Sequence, residues 1–576
     1  MHEENPVTPD ESHMAHSSCG PRPLPPDDLA LFSGLPPHKI PAVADARIQA
    51  YRTMIEDING YIAQLTDIHN AAITLHATLP REVLMNVFRH VYPTCPSDIR
   101  ITHVCKLWRD LIHRTPEFWV NMLAVSAVTS HLGHNIDSDS PMSLLSFIEL
   151  SSPMPYKLDI QTELSFLTKI PSHTSRICSL SWELPGRPDF ISLVTDFLDL
   201  HMPLLQEMRC SCNREHAIPP LITALPNHHR PQCGKFPRLR SLSLHGLGVA
   251  CQALAFPSLK ELHIDDGAPI YFEPLGLSAL LKFLQSCSQL QVLVLDINAS
   301  ALHAFPERQP EDAVSLPYLT TLSLTFHRPA PRWAYDFLER VDVPSTAELK
   351  ITWLCGCGTP LTTLIPASRS TSIKAIQAMD FLDIRYIDDR KHRASESKAV
   401  LTVHGRYMPA SGRYKPCLTL TIHRPCWRGT NRMCPPSTAL GEIMELFYHA
   451  SLKSLWLRLD AGITVRRQDW SRILNGHPSL LSLIVRIGSC RNLLSVMRRH
   501  PSRWPALQWL TIVCRDGSGV HESLLSVLEN RAREGSRLKL LTFSGDYKKP
   551  ALSEHRMRRL QGLVREVKIL RIVYAL

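Results

Sequence analysis

The stretch FPRLRSLSLHGL, Phe236 to Leu247, decides the fold. Leu239 follows an aromatic–proline opening, and Leu242 and Leu244 then alternate with Ser241, Ser243 and His245. Alternation at period two puts the leucines on one face of an extended strand and the polar residues on the other. The phrase returns as FPSLKELHIDD from Phe256, CSQLQVLVLDI from Cys287 and LPYLTTLSLTF from Leu316. It recurs as HASLKSLWLRL from His449, HPSLLSLIVRI from His477, WPALQWLTIVC from Trp504 and GSRLKLLTFSG from Gly535. MPLLQEMRC at Met202 and SRICSLSW at Ser175 read as degenerate copies.

Aligned on their first leucine, the copies fall at Leu205, Leu239, Leu259, Leu290 and Leu319, then at Leu452, Leu480, Leu507 and Leu538. The steps are 34, 20, 31 and 29 residues, then 28, 27 and 31, an irregular leucine-rich-repeat period. Helical patterns such as LSALLKFLQSC (277–287) and CRNLLSVMRRH (490–500) lie between the phrases. One strand–helix unit cannot bury its own apolar face, so stacked neighbours must share a continuous core. The expected fold is therefore α/β, a leucine-rich-repeat solenoid over 140–576. Residues 390–435 break the register; the runs at 399–404 and 417–423 read as strands continuing the sheet, with polar excursions between them.

Before the repeats, the run LPREVLMNVFRHV from Leu79 spaces Val83, Leu84, Val87, Phe88 and Val91 as one helical face. HVCKLWRDLIHRTPEFW from His103 does the same with Val104, Trp108, Leu111 and Ile112, together with Ile101 just before it. Three helices this short cannot bury so much apolar surface among themselves, so 79–122 reads as a small docking module. From 42 to 78, Ile48, Ile55 and Ile62 recur every seven residues and interleave with Tyr51, Ile58, Leu65 and Ala72, while Gly60 interrupts the stripe and His69 falls on its seam. Such an a/d stripe fits a homodimeric coiled coil or a single amphipathic helix packed on its own protein. Residues 1–41, rich in Pro, Ser and His, read as a disordered tail with polyproline character.

The module at 79–122 resembles the F-box: Leu79–Pro80 with Val83, Leu84, Val87 and Phe88 match its opening, and Val104, Cys105, Trp108, Arg109, Leu111, Pro116 and Trp119 its close. Together with the heptad helix and the repeats, the chain is similar to the F-box proteins expanded in mushroom-forming fungi. The resemblance implies that Leu79, Pro80, Val83, Leu84, Val87, Phe88, Trp108 and Trp119 contact a Skp-type adaptor. The adaptor would link the chain to a cullin–RING ubiquitin ligase, and the repeats would hold an unidentified protein substrate. The expected function is thus non-catalytic substrate recognition. A leucine-rich-repeat scaffold with no ligase role is the second expectation, and a basic nucleic-acid-binding solenoid the third.

Composition narrows these classes. The 576 residues carry a formal charge of +10, too dilute at this length for a nucleic-acid signature. No run of about 18 apolar residues predicts a membrane span. Met1–Asp10 lacks an apolar leader, and 16 scattered cysteines suit a reducing, cytoplasmic or nuclear setting. There is no glycine-rich phosphate loop, and Leu525 stands where His521–Glu522 would need a second histidine to bind zinc. Cys210, Cys212, His216, His228, His229 and Cys233 cluster, but Cys-x-Cys is poor structural-zinc spacing, so neither metal nor cofactor is expected. The basic C-terminus, with Arg556, Arg558, Arg559 and Arg565, reads as a last helix and strand capping the array.

Overall fold

A computed structural model describes residues 23–72, 79–129, 144–160, 170–184, 200–212, 236–245, 256–265, 277–297, 313–327, 331–354, 365, 373–388, 398–408, 414–425, 436–459, 464–514, 520–544 and 554–569. The chain divides into two compact units, Met1–Phe88 with Ile99–His113, and Arg89–Asp98 with Arg114–Leu576.

The first unit holds helices α1 (Pro26–Phe32), α2 (Ile40–Ala72), α3 (Arg81–Arg89, all but its last residue) and α4 (Lys106–His113). The described part of the expected tail is therefore helical, a correction to the polyproline reading; residues 1–22 lie outside the described residues. Pro26 occupies the first turn of α1, where a missing N–H costs nothing, and Asp27 and Asp28 complement the helix dipole there. Asp28 is buried; it accepts a hydrogen bond from the Tyr51 hydroxyl and another from Arg47 Nε at 2.5 Å. The Tyr51 hydroxyl, with help from the Arg47 guanidinium, holds its carboxyl below the usual range. Helix α2 runs unbroken through Gly60.

The second unit begins with α5 (Pro116–Thr129) and α6 (Leu144–Leu150), which pack on each other and lead into a large sheet. Its strands are β1 (Tyr156–Ile160), β2 (Ile177–Leu184), β3 (Glu207–Cys212), β4 (Ser241–His245), β5 (Glu261–Asp265) and β6 (Val292–Ile297). They continue as β8 (Thr321–Phe326), β10 (Glu348–Leu354), β11 (Phe381–Asp388), β12 (Lys398–Tyr407) and β13 (Lys415–Pro425). The last are β14 (Ser454–Leu459), β15 (Ser482–Ile487), β16 (Trp509–Cys514), β17 (Leu540–Ser544) and β18 (Glu566–Ile569). Two short strands, β7 (Val314–Ser315) and β9 (Val341–Asp342), pair apart from the 16-stranded sheet.

Seven copies of the repeated phrase share one local geometry. In each of them the amide of the first leucine donates to the carbonyl three residues earlier: Leu205 to Met202, Leu239 to Phe236, Leu259 to Phe256, Leu290 to Cys287, Leu319 to Leu316, Leu480 to His477 and Leu507 to Trp504. Proline at the second position of most copies pre-sets φ for such a turn. Each of those leucines is buried, and the strand that follows alternates buried and half-exposed residues. In parallel register the inward residues stack, as in Leu242, Leu262, Leu293, Leu322 and Leu349. Helices Pro436–Leu446, Arg467–Gly476, Arg491–Arg499, Val520–Arg533 and Glu554–Leu563 pack side by side in chain order. From the Val520–Arg533 helix, buried Arg531 donates to the Trp504 and Leu507 carbonyls at 3.1 Å each, tying it to the preceding turn.

The expected interruption is an antiparallel meander. Strand order runs β10-β13-β12-β11-β14, with β12 antiparallel to both neighbours while β13 parallels β10 and β11 parallels β14. Connections this short permit hairpins and not parallel crossovers. The apolar stack crosses the meander through Leu418, Gly405, Leu382 and Leu455. Gly405 stands where a leucine is otherwise usual because a Cβ there would fall on the Sδ of buried Met379.

Two outcomes follow from this packing. Gly405→Ala should destabilise the protein by about 1–3 kcal/mol through overpacking, read by chemical denaturation. His477 occupies the buried turn position filled by Phe256 or Trp504 in other copies, and burial pushes its pKa down to about 4, against a backbone hydrogen bond to Ala450. The unfolded chain therefore takes up a proton near pH 6.5 that the folded chain refuses. Stability should hold above that pH and fall by roughly 3 kcal/mol between pH 6.5 and 4, a slope that His477→Gln flattens.

Candidate functional site

Helix α3 starts where Pro80, which cannot extend a helix backward, presents its carbonyl to the amides of Val83 and Leu84 at 3.0 and 3.2 Å. Glu82 lies in its first turn and Arg89 in its last, each complementing the dipole. The apolar residues of α3 divide into two rows. Leu84 and Phe88 are 3% and 1% exposed and belong to the core of the first unit; Val83 and Val87 are 43% and 50% exposed. Each pair is spaced i, i+4, so each lines one side of the helix. Phe88 meets Trp108 of α4 edge to face at 5.2 Å, and Leu111 and Ile112 of α4 are buried.

The single outward face expected from the sequence is thus two faces. Val83 and Val87 remain accessible, while Leu84 and Phe88 hold the helix in place. Leu79 is half-buried, Pro80 exposed and Trp108 half-buried. Val104, just before α4, is 51% exposed and adds apolar surface to the same unit. Trp119 is fully buried in the second unit, edge to face with Phe118 and stacked on Phe147 of α6 at 5.5 Å, so it anchors α5 to α6. Sequence spacing alone does not separate these roles, because five apolar residues in three turns span both sides of the helix.

The segment between α3 and α4 is a 3-10 helix, Pro96–His103, preceded by a turn that Asp98 closes. The Asp98 carboxylate accepts from the Thr94 amide at 2.6 Å and the Cys95 amide at 3.1 Å, which holds its pKa below the usual range. Asp98 therefore stabilises the backbone behind it. Tyr92 just before this turn is 72% exposed and escaped the sequence reading, since a lone tyrosine in a loop has no periodicity to mark it.

The large sheet offers the second candidate surface. Its outward side carries a His245–Asp265 pair at 3.4 Å and a His327–Asp296 pair at 2.6 Å. Beyond the meander, Arg385, Arg458 and Arg486 stand at one register on β11, β14 and β15. Buried Asp383 pairs with Arg385 at 2.7 Å and Arg458 at 3.6 Å, and Arg458 lies over the Trp456 ring at 5.0 Å. Among the described residues no group of three or more His, Cys, Asp or Glu could hold a metal ion. Cys210 is buried, its thiol pushed up to about 12 by desolvation; His216, His228, His229 and Cys233 lie outside the described residues. Among the described residues no helix is long and apolar enough to cross a membrane.

Residues 76–124 match the F-box-like family model, spanning α3, the 3-10 helix, α4 and the start of α5. No curated protein matches the chain. The segment is an F-box-like domain, a domain type that at the family level binds a Skp-type adaptor and serves substrate recognition in SCF-type ligases.

Leu84→Ala or Phe88→Ala should cost about 2–5 kcal/mol in the first unit, seen as an earlier denaturation midpoint. Val83→Asp and Val87→Asp should each change stability by no more than about 0.5 kcal/mol. An inverted order would mean that the helix presents its other side.

Proposed function

We propose that this chain is a non-catalytic substrate-recognition subunit of a Skp–cullin–F-box ubiquitin ligase. The observation that carries the reading is the F-box-like segment 76–124 with its two-sided α3. Val83 and Val87, with Pro80 and half-buried Leu79 at the helix start, give an adaptor an apolar strip on a rigid element. Leu84 and Phe88 fix that strip from behind, and Trp119 fixes α5. Aliphatic anchors that become desolvated at the centre of an interface carry most of its affinity.

The repeats 140–576 form a leucine-rich-repeat solenoid in this reading, and its outward side holds the protein substrate. The support is its chemistry: acid–histidine pairs on β4 to β8 and an arginine row on β11, β14 and β15 give a broad polar surface whose positions are set by backbone register. The cullin is reached through the adaptor, and the work is done in the cytoplasm or nucleus. The chain itself performs no chemistry; ubiquitin transfer belongs to the other subunits.

Co-purification of the full chain with a Skp-type adaptor tests the assignment. The wild type should retain the adaptor, and Val83→Asp/Val87→Asp should lower retention at least tenfold with unchanged circular dichroism. A folded wild type that retains no adaptor would leave the scaffold reading in place.

A further inference from the structure

Helix α2 displays an apolar stripe that nothing described in its own unit covers. Ile48, Met54, Ile55, Ile58, Tyr61, Ile62, Leu65 and Ile68 are each 48–66% exposed. Their combined surface, on the order of 900 Å², exceeds the ~300–600 Å² of the largest apolar patch on an ordinary monomer. It matches the ~800 Å² per partner of a standard protein interface. Among the described residues the side-chain hydrogen bonds that α2 makes to another element all go to Asp28 of α1, from Arg47 and Tyr51 near its N-terminal end. Helices draw most of their stability from packing an apolar face, so a 33-residue helix with this stripe exposed calls for a second surface.

Heptad positions specify that surface. Ile48, Ile55 and Ile62 take position a; Tyr51, Ile58 and Leu65 take d; Met54, Tyr61 and Ile68 take g. Gly60 falls at f, away from the seam, with nothing near its missing side chain. We propose that α2 pairs with α2 of a second copy of this chain as an antiparallel coiled coil. Run antiparallel, Ile48 meets Leu65 of the second copy, Tyr51 meets Ile62, and Ile55 meets Ile58. The six central seam residues map onto themselves, as a two-fold interface requires, and beyond them His69 falls opposite Ala44 of the second copy. On the flanks Met54 meets Tyr61 of the second copy, apolar on apolar, and Arg52 meets Asn59. A parallel pair would instead set Arg47 at g against Arg52 at e of the second copy, twice by symmetry, and His69 against His69. Like charges so placed repel. The Asp28 tie draws the Tyr51 hydroxyl toward α1 and the Arg47 guanidinium lies over the Tyr51 ring at 4.8 Å, so Tyr51 is the half-buried member of the seam.

The pairing is independent of what the F-box-like segment binds. Light scattering on the full chain at tens of micromolar, with and without adaptor, should give twice the 65.1 kDa chain mass per assembly, plus any adaptor. Ile55→Asp/Ile58→Asp should weaken self-association at least 100-fold while adaptor retention stays at the wild-type level. A copy carrying Ile55→Cys should form a disulfide with a copy carrying Ile58→Cys, and not with another Ile55→Cys copy. A monomeric wild type, a dimer that survives both aspartates, or Ile55→Cys linked to itself would each overturn the proposal. So would a dimer that dissolves when the adaptor binds, since that partner would then own the stripe.

Discussion

Seven of the strands that follow the recurring phrase enter through the same constraint: a buried leucine whose amide must find a carbonyl at the moment its side chain leaves water. The i to i+3 hydrogen bond from Leu239 to Phe236, and its counterparts down the chain, meets that demand inside one turn. Burying the leucine without it would strand an N–H at a cost of about 1–3 kcal/mol. Because the turn fixes where each strand begins, the inward residues of successive strands fall at one register without further instruction. Those seven strands and the outward residues they carry take their positions from this one local geometry.

That geometry is also why the sequence is informative here. A turn that favours proline and requires a leucine leaves a phrase recognisable in a single chain, even at uneven spacing. Strand direction at 381–425 leaves no such trace. β11, β12 and β13 carry the alternation of any strand, and their order is set by the lengths of the connections. Helix α3 has the same difficulty at a smaller scale. Val83, Leu84, Val87 and Phe88 are equally apolar, so periodicity locates the helix but not which pair faces inward; only the Phe88–Trp108 contact decides it. Trp119 reads as an exposed anchor by analogy of motif, yet in space it is core.

Among the described residues, two buried charges each have a local cause. Arg531 reaches the carbonyls of the Trp504 turn with two of its nitrogens, so its guanidinium replaces a solvent shell with fixed acceptors; burial draws its pKa to about 10. Asp383 is buried on the outward side only because Arg385 and Arg458 close over it. Both cases follow the rule that a buried charge persists when geometry supplies its partners.

The meander of β11, β12 and β13 has a parity that matters for how the array is built. With β12 the lone reversed strand, β13 and β11 point the same way, and the parallel arrays on either side resume in phase. Losing β11 and β12 together would leave β10, β13 and β14 all parallel, whereas losing β11 alone would set β12 antiparallel against β14. Removing that pair of strands leaves the direction of the parallel strands on either side unchanged. The parallel strands on either side thus keep one direction across the meander, and a single sheet runs through it.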